Sequence, residues 1–196
     1  MAVAHPTSSR AKTRVLYFDI DGTVVHETFG ACKEALADGR LEHLIRAAGF
    51  ERLVCVSDAV SIARLLPSNA HDTVFEFCRG AFEDRAWFRE HVRLVPDPVQ
   101  RARYLDTNDD WYFMDDYAYT YLRKAERSRL AFRGAIKRRV LRAQSRSDGS
   151  EVDSWLTALA TTRPAVRPAS TDLSAFRRPR RSTPLVPQRP VAPAFA

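Results

Sequence analysis

The sequence predicts an α/β domain built on a parallel sheet with helices on both faces. Three observations predict it. Short apolar runs, "RVLYF" at 14–18, "RLVCV" at 52–56 and "WYFM" at 111–114, alternate with helical stretches. These runs are continuously apolar rather than alternating, the pattern of strands buried on both faces. Each run also stops on a polar residue: Asp19, Ser57, and Asp115 with Asp116. In an open parallel sheet the ligand site lies beyond the carboxyl ends of the strands. The three endings therefore mark one candidate site.

The remaining elements follow in chain order. Residues 1–13 are polar and expected to be loose. After the first strand, Leu41, Leu44, Ile45 and Ala48 share one helical face, and Gly49 stands where a C-cap belongs. After the second strand, Asp58 is placed to cap the helix "AVSIARLL", which Pro67 ends. The stretch 72–95 reads as partly helical, with a short strand at 92–95. "PVQRARYLD" reads as a helix with Pro98 in its first turn. Residues 117–125 read as helical, and "LAFRGAIKRRVLRA" at 130–143 as a basic amphipathic helix. "DSWLTALA" makes one further short helix. From Thr161 the composition changes: seven of the eleven prolines lie between Pro164 and Pro193. Such a segment buries too little apolar surface to order itself. The expected organisation is a flexible N-terminus at 1–13, a core at 14–127, basic C-terminal helices at 128–160, and a disordered Pro/Arg-rich tail at 161–196.

Composition bounds the function. With 196 residues, 45% hydrophobic and 28% charged, the chain can build one domain with a real core. No apolar run approaches the roughly 18–20 residues of a membrane span, so no membrane partner is expected. The N-terminal text has no long apolar stretch and does not read as a secretory signal. Cys32, Cys55 and Cys78 are isolated thiols, which fits a reducing compartment and a cytoplasmic location. The net charge of +7 is uneven: ten Lys or Arg and one acidic residue, Glu126, fall between Arg123 and Arg146. Five Asp and no basic residue fall between Asp106 and Asp116. The segment 123–146 would suit a polyanion beside a cation-binding site; a solvated basic helix face is the more frequent reading of such a run.

The strand endings permit specific chemistry. Carboxylates from Asp19, Asp21, Asp115 and Asp116 crowded together repel unless a cation sits among them. Oxygen ligands without His or Cys suit Mg²⁺. One aspartate can then attack phosphorus and form an aspartyl-phosphate. A second carboxyl two residues on can serve the leaving group as acid, then water as base. Gly22 permits the sharp exit from the strand, and Thr23 and Ser57 offer hydroxyl donors to phosphoryl oxygens.

"DIDGTV" at 19–24 after an apolar strand, then "LVCVS" at 53–57, then "WYFMDD" at 111–116, resembles the haloacid dehalogenase-like (HAD) phosphohydrolase superfamily. The resemblance covers roughly 14–127. It implies a three-layer, Rossmann-like (HAD-like) sheet. It implies Asp19 as nucleophile, Asp21 as acid/base and Ser57 as phosphoryl ligand. Mg²⁺ would be held by the Asp19 carboxylate, the Asp21 main-chain oxygen and the acidic pair, with Asp116 the direct ligand and Asp115 its support. Members that cleave carbon–halogen bonds usually lack the second Asp, so phosphate chemistry is implied. One element departs: Val95 in "LVPDPVQRARYLD" stands where the family carries a Lys that neutralises the nucleophile. Arg101, Arg103 or Arg93 would have to replace it, and a guanidinium is well suited to two oxyanions. The gaps between motifs leave no room for a sizeable cap domain. Uncapped members tend to act on large phosphorylated substrates, including macromolecules. Two other readings stay open: a non-catalytic HAD-like binding module, and a nucleic-acid-end phosphatase steered by the basic helix.

Overall fold

The computed structural model describes residues 12–28, 31–34, 36, 38–66, 68–126, 136–143 and 149–162. All lie in one compact unit, Met1–Pro164. Residues 1–11 and the Pro/Arg-rich segment from 163 onward lie outside the described residues, as do 127–135.

Five parallel strands form the sheet: β1 (Arg14–Phe18), β4 (Arg52–Cys55), β5 (Val92–Leu94), β6 (Asp110–Met114) and β7 (Val140–Leu141). Their order is β5-β4-β1-β6-β7, so the first strand is central. The register pairs Leu16 with Leu53 on one side and with Tyr112 on the other. Strand alternation divides the apolar runs between two cores. Leu16, Phe18, Leu53, Cys55 and Met114 enter one; Val15, Tyr17, Val54, Trp111 and Phe113 enter the other. Both faces of β1 are thus buried, which is why its sequence is continuously apolar. The layout is Rossmann-like.

The first core is closed by α1 (Arg40–Ala47), α2 (Ala59–Leu65), α3 (Ala70–Phe77), α4 (Arg85–His91) and α7 (Ser150–Thr161). Helix α1 presents Leu41, Leu44 and Ile45, and Gly49 at φ 72° ends it as expected. Asn69 and Asp84 cap α3 and α4 by accepting His71 N–H and Trp87 N–H at 2.9 Å each. The second core is closed by a 3₁₀ segment, Pro98–Tyr104, and by α5 (Ala118–Glu126). Among the described residues no helix is long and apolar enough to cross a membrane. Cys55 and Cys78 are free, buried thiols.

Three features differ from the sequence expectation. A two-stranded antiparallel hairpin, β2 (Val25–Thr28) and β3 (Ala31–Glu34), follows the first motif where a loop was expected. The expected helix at 130–143 is described only from 136: a single turn, α6 (Ile136–Arg139), gives way to β7 at Val140. Pairing with Phe113 and Met114 overrides the helical pattern there. Described residues after 136 also join the core: Val140 packs in the second cluster, and Val152, Leu156 and Leu159 in the first. Arg40 and Asp153 tie α1 to α7 by an ion pair of 2.7 Å.

Leu156 is fully buried. Leu156→Ala is expected to lower the unfolding free energy by about 2–5 kcal/mol in a single urea transition. An unmoved main transition would show that 150–161 is not part of the domain.

Candidate functional site

The site forms where β1, β4 and β6 end side by side. Asp19 N–H donates to Met114 O at 3.0 Å, and Val56 N–H to Phe18 O at 2.9 Å, so sheet hydrogen bonding continues past the named strands. The chain then turns around one carbonyl: Ile20 O accepts from Thr23, Val24 and Val25 at 2.8–3.2 Å. This knot leaves Asp19 buried and Asp21 exposed, although they are two residues apart. Gly22 at φ 74° permits the turn. A Cβ there would lie 2.6 Å from Asp116 Oδ2, so the glycine also makes room for that carboxylate.

Arg101 is the centre of the arrangement. Its side chain is only 4% exposed. Nη1 lies 2.8 Å from Asp19 Oδ2 and 2.7 Å from Asp115 Oδ2, bridging the ends of β1 and β6. Nε donates to Pro98 O at 3.3 Å, and the guanidinium lies 4.5 Å from the ring centroid of Tyr121 on α5. Nη2 donates to Asp58 Oδ2 at 3.0 Å. The 3₁₀ segment is what aims it. Asp97 caps that segment by accepting Val99 N–H at 3.1 Å, and Pro98 occupies its first turn.

The other acidic groups are held just as specifically. Asp19 Oδ1 accepts Ile20 N–H at 2.9 Å. Asp115 is fully buried, and its Oδ1 accepts Tyr117 N–H at 2.6 Å. Thr23 Oγ1 accepts Asp116 N–H at 3.0 Å, so this buried hydroxyl ties the first loop to the acidic pair. Ser57 donates to Asp21 Oδ2 at 3.0 Å and accepts Ala59 N–H at 3.2 Å.

Asp19, Asp115 and Asp116 each present an oxygen within 4.8 Å of the others. Burial, then the charge of Asp115, pushes the Asp19 carboxyl up to about 7 despite Arg101. Burial and Asp115 also push Asp116 up to about 6. Burial raises Asp115 as well. One guanidinium therefore does not offset three neighbouring carboxylates, and an all-oxygen set of this kind suits a hard divalent cation. Asp116 is the least committed of the three: its carboxylate lies over Gly22, whereas both Asp115 oxygens are already bonded.

The structure thus brings together Asp19, Asp21, Gly22, Thr23, Ser57, Arg101, Asp115 and Asp116. It does not bring in Arg103 or Arg93, which are exposed and make no ion pair among the described residues. Asp58 and Tyr121 were not expected at the site. Asp58 was read as a side-chain cap for α2, yet it makes no cap hydrogen bond and turns to Arg101 instead. Arg142, after β7, also reaches the site's edge, where Nε donates to Asp116 O at 3.3 Å. Comparison of the chain with protein-family models, curated proteins and solved structures finds no match.

The acidic cluster has a pH signature. The fold keeps the Asp116 proton up to about pH 6, whereas an unfolded Asp releases it near about pH 4. With a chelator present, the Asp116 contribution to stability therefore falls as pH rises through that window and is level above it. Asp116→Asn removes this loss. Its Tm advantage over the wild type should grow to a few degrees between about pH 4 and pH 6, then stay constant. A Tm gap that shrinks with rising pH would contradict the environment described for Asp116.

Proposed function

We propose that this chain is a Mg²⁺-dependent phosphohydrolase of the HAD-like type, acting through an aspartyl-phosphate on Asp19. The observation that carries the reading is the buried Arg101 guanidinium bridging Asp19 and Asp115. A site assembled only from carboxylates lacks the fixed positive charge that an incoming phosphoryl group needs. Arg101 supplies it from a segment where the usual Lys is absent. Short connections support an open approach: a hairpin and α1 lie between β1 and β4, and α2–α4 between β4 and β5. That suits a large or extended phosphorylated substrate.

The chain's own groups divide the work as follows. Ile20 N–H and Arg101 hold the two oxygens of Asp19 and fix the plane of its carboxylate. An Asp19 oxygen bonds to phosphorus as the phosphorus–oxygen bond to the leaving group breaks. Asp21, exposed beside the phosphoryl position, gives its proton to the departing oxygen. It then takes a proton from the water that attacks phosphorus and breaks the bond to Asp19. The Ser57 hydroxyl, held at Asp21 in this structure, donates to a phosphoryl oxygen. Mg²⁺, when bound by Asp19 and Asp116 with Asp115 behind them, would offset charge on the phosphoryl oxygens.

Hydrolysis of an aryl phosphate should be chelator-sensitive and abolished by Asp19→Asn. Arg101→Ala should lower kcat/KM by roughly a hundredfold to a thousandfold, the scale of losing one preorganised charge. Full turnover in Asp19→Asn would end this reading, and chelator-insensitive absence of turnover across a substrate panel would favour a binding module.

A further inference from the structure

The Asp58–Arg101 contact has an unusual form. Arg101 is almost completely buried, while the Asp58 side chain is 61% exposed. An exposed carboxylate thus lies against a guanidinium that solvent hardly reaches. Asp58 stands at the first position before α2 with helical angles, φ −62° and ψ −22°, and does not cap the helix. The Ser57 hydroxyl serves the first free N–H of that helix instead. The Asp58 carboxylate is therefore not required by α2, and its specific partner is Nη2 of Arg101.

The remaining guanidinium bonds point inward. Nη1 is shared by Asp19 and Asp115, Nε goes to Pro98 O, and one face is covered by Tyr121. Nη2 is the guanidinium nitrogen bonded to an exposed residue, Asp58, and so lies on the side from which a ligand would come. Carboxylate and phosphoryl oxygens accept from a guanidinium in the same geometry. Ser57 repeats the pattern one residue earlier, with its hydroxyl engaged by the exposed Asp21. Two buried donors of the site are thus held by exposed carboxylates of the chain itself.

We infer that Asp58 is a placeholder for a substrate phosphoryl oxygen, occupying Arg101 Nη2 in the free protein and swinging into solvent when a phosphoryl group binds. This rests on the phosphohydrolase reading above and sharpens it. The substrate must displace a charged competitor, so weakly held or monoanionic groups are discriminated against. A dianionic phosphomonoester, which gains most from Arg101, is favoured.

The test is calorimetric binding of inorganic phosphate, with Mg²⁺ present, to the full chain and to Asp58→Asn. The expected result is binding about tenfold tighter in the variant, the scale of one charge-assisted hydrogen bond no longer displaced. The gain should persist in about 0.5 M salt, where a general field effect is screened within a few ångströms. Asp58→Ser, which keeps a good residue at the helix start, should behave alike. Equal or weaker phosphate binding in both variants, or a gain that vanishes in high salt, overturns the placeholder role while leaving the phosphohydrolase reading standing. Absence of phosphate binding by wild type and variants alike overturns both.

Discussion

Asp19 and Asp115 end neighbouring parallel strands, and two carboxylates buried that closely repel each other unless a cation lies between them. Arg101 provides that cation, and much of the surrounding structure follows from the need to deliver it. It comes from a short 3₁₀ segment after β5, capped by Asp97 and started by Pro98. Its guanidinium is then fixed by a main-chain carbonyl beneath it and the Tyr121 ring over it. Removing the guanidinium would leave uncompensated charge in the interior, a larger penalty than losing a surface ion pair.

The same constraint explains the division of labour among the acids. Asp115 is sealed and doubly bonded, so it acts by holding Arg101 and stiffening the turn into α5. Asp116, one residue on, is less buried and faces the loop at Gly22. Asp21 is turned outward by the knot around the Ile20 carbonyl, which separates it from Asp19 in exposure. Two aspartates that share a motif thus meet different environments, one buried against Arg101 and one open to solvent.

Much of this was legible in the sequence because it depends on local pattern. The runs at 14–18, 52–56 and 111–114 carry their burial in their composition, and their polar ends named Asp19, Ser57, Asp115 and Asp116. Arg101 was one of three candidates; only tertiary geometry separates it from the exposed Arg103 two positions on. The hairpin at 25–34 was missed because "VHETFGACKE" has little apolar alternation and no strong turn pair. β7 was missed because two apolar residues within "KRRVLRA" read as a helix face until β6 offers them a partner. Asp58 was assigned to α2 by a sound capping rule, but a buried guanidinium nearby competes better for a carboxylate than a helix N-terminus does. Tyr121 carried no signal, since an aromatic in a helix is ordinarily packing.

The central claim is that Asp19 becomes covalently phosphorylated. The direct measurement is mass spectrometry of peptides after brief incubation with an aryl phosphate and Mg²⁺, followed by acid quench. The account predicts a single phosphoryl group on the peptide carrying Asp19, and none in Asp19→Asn. Phosphate release with no labelled Asp19 peptide, or a label on a different residue, would contradict it.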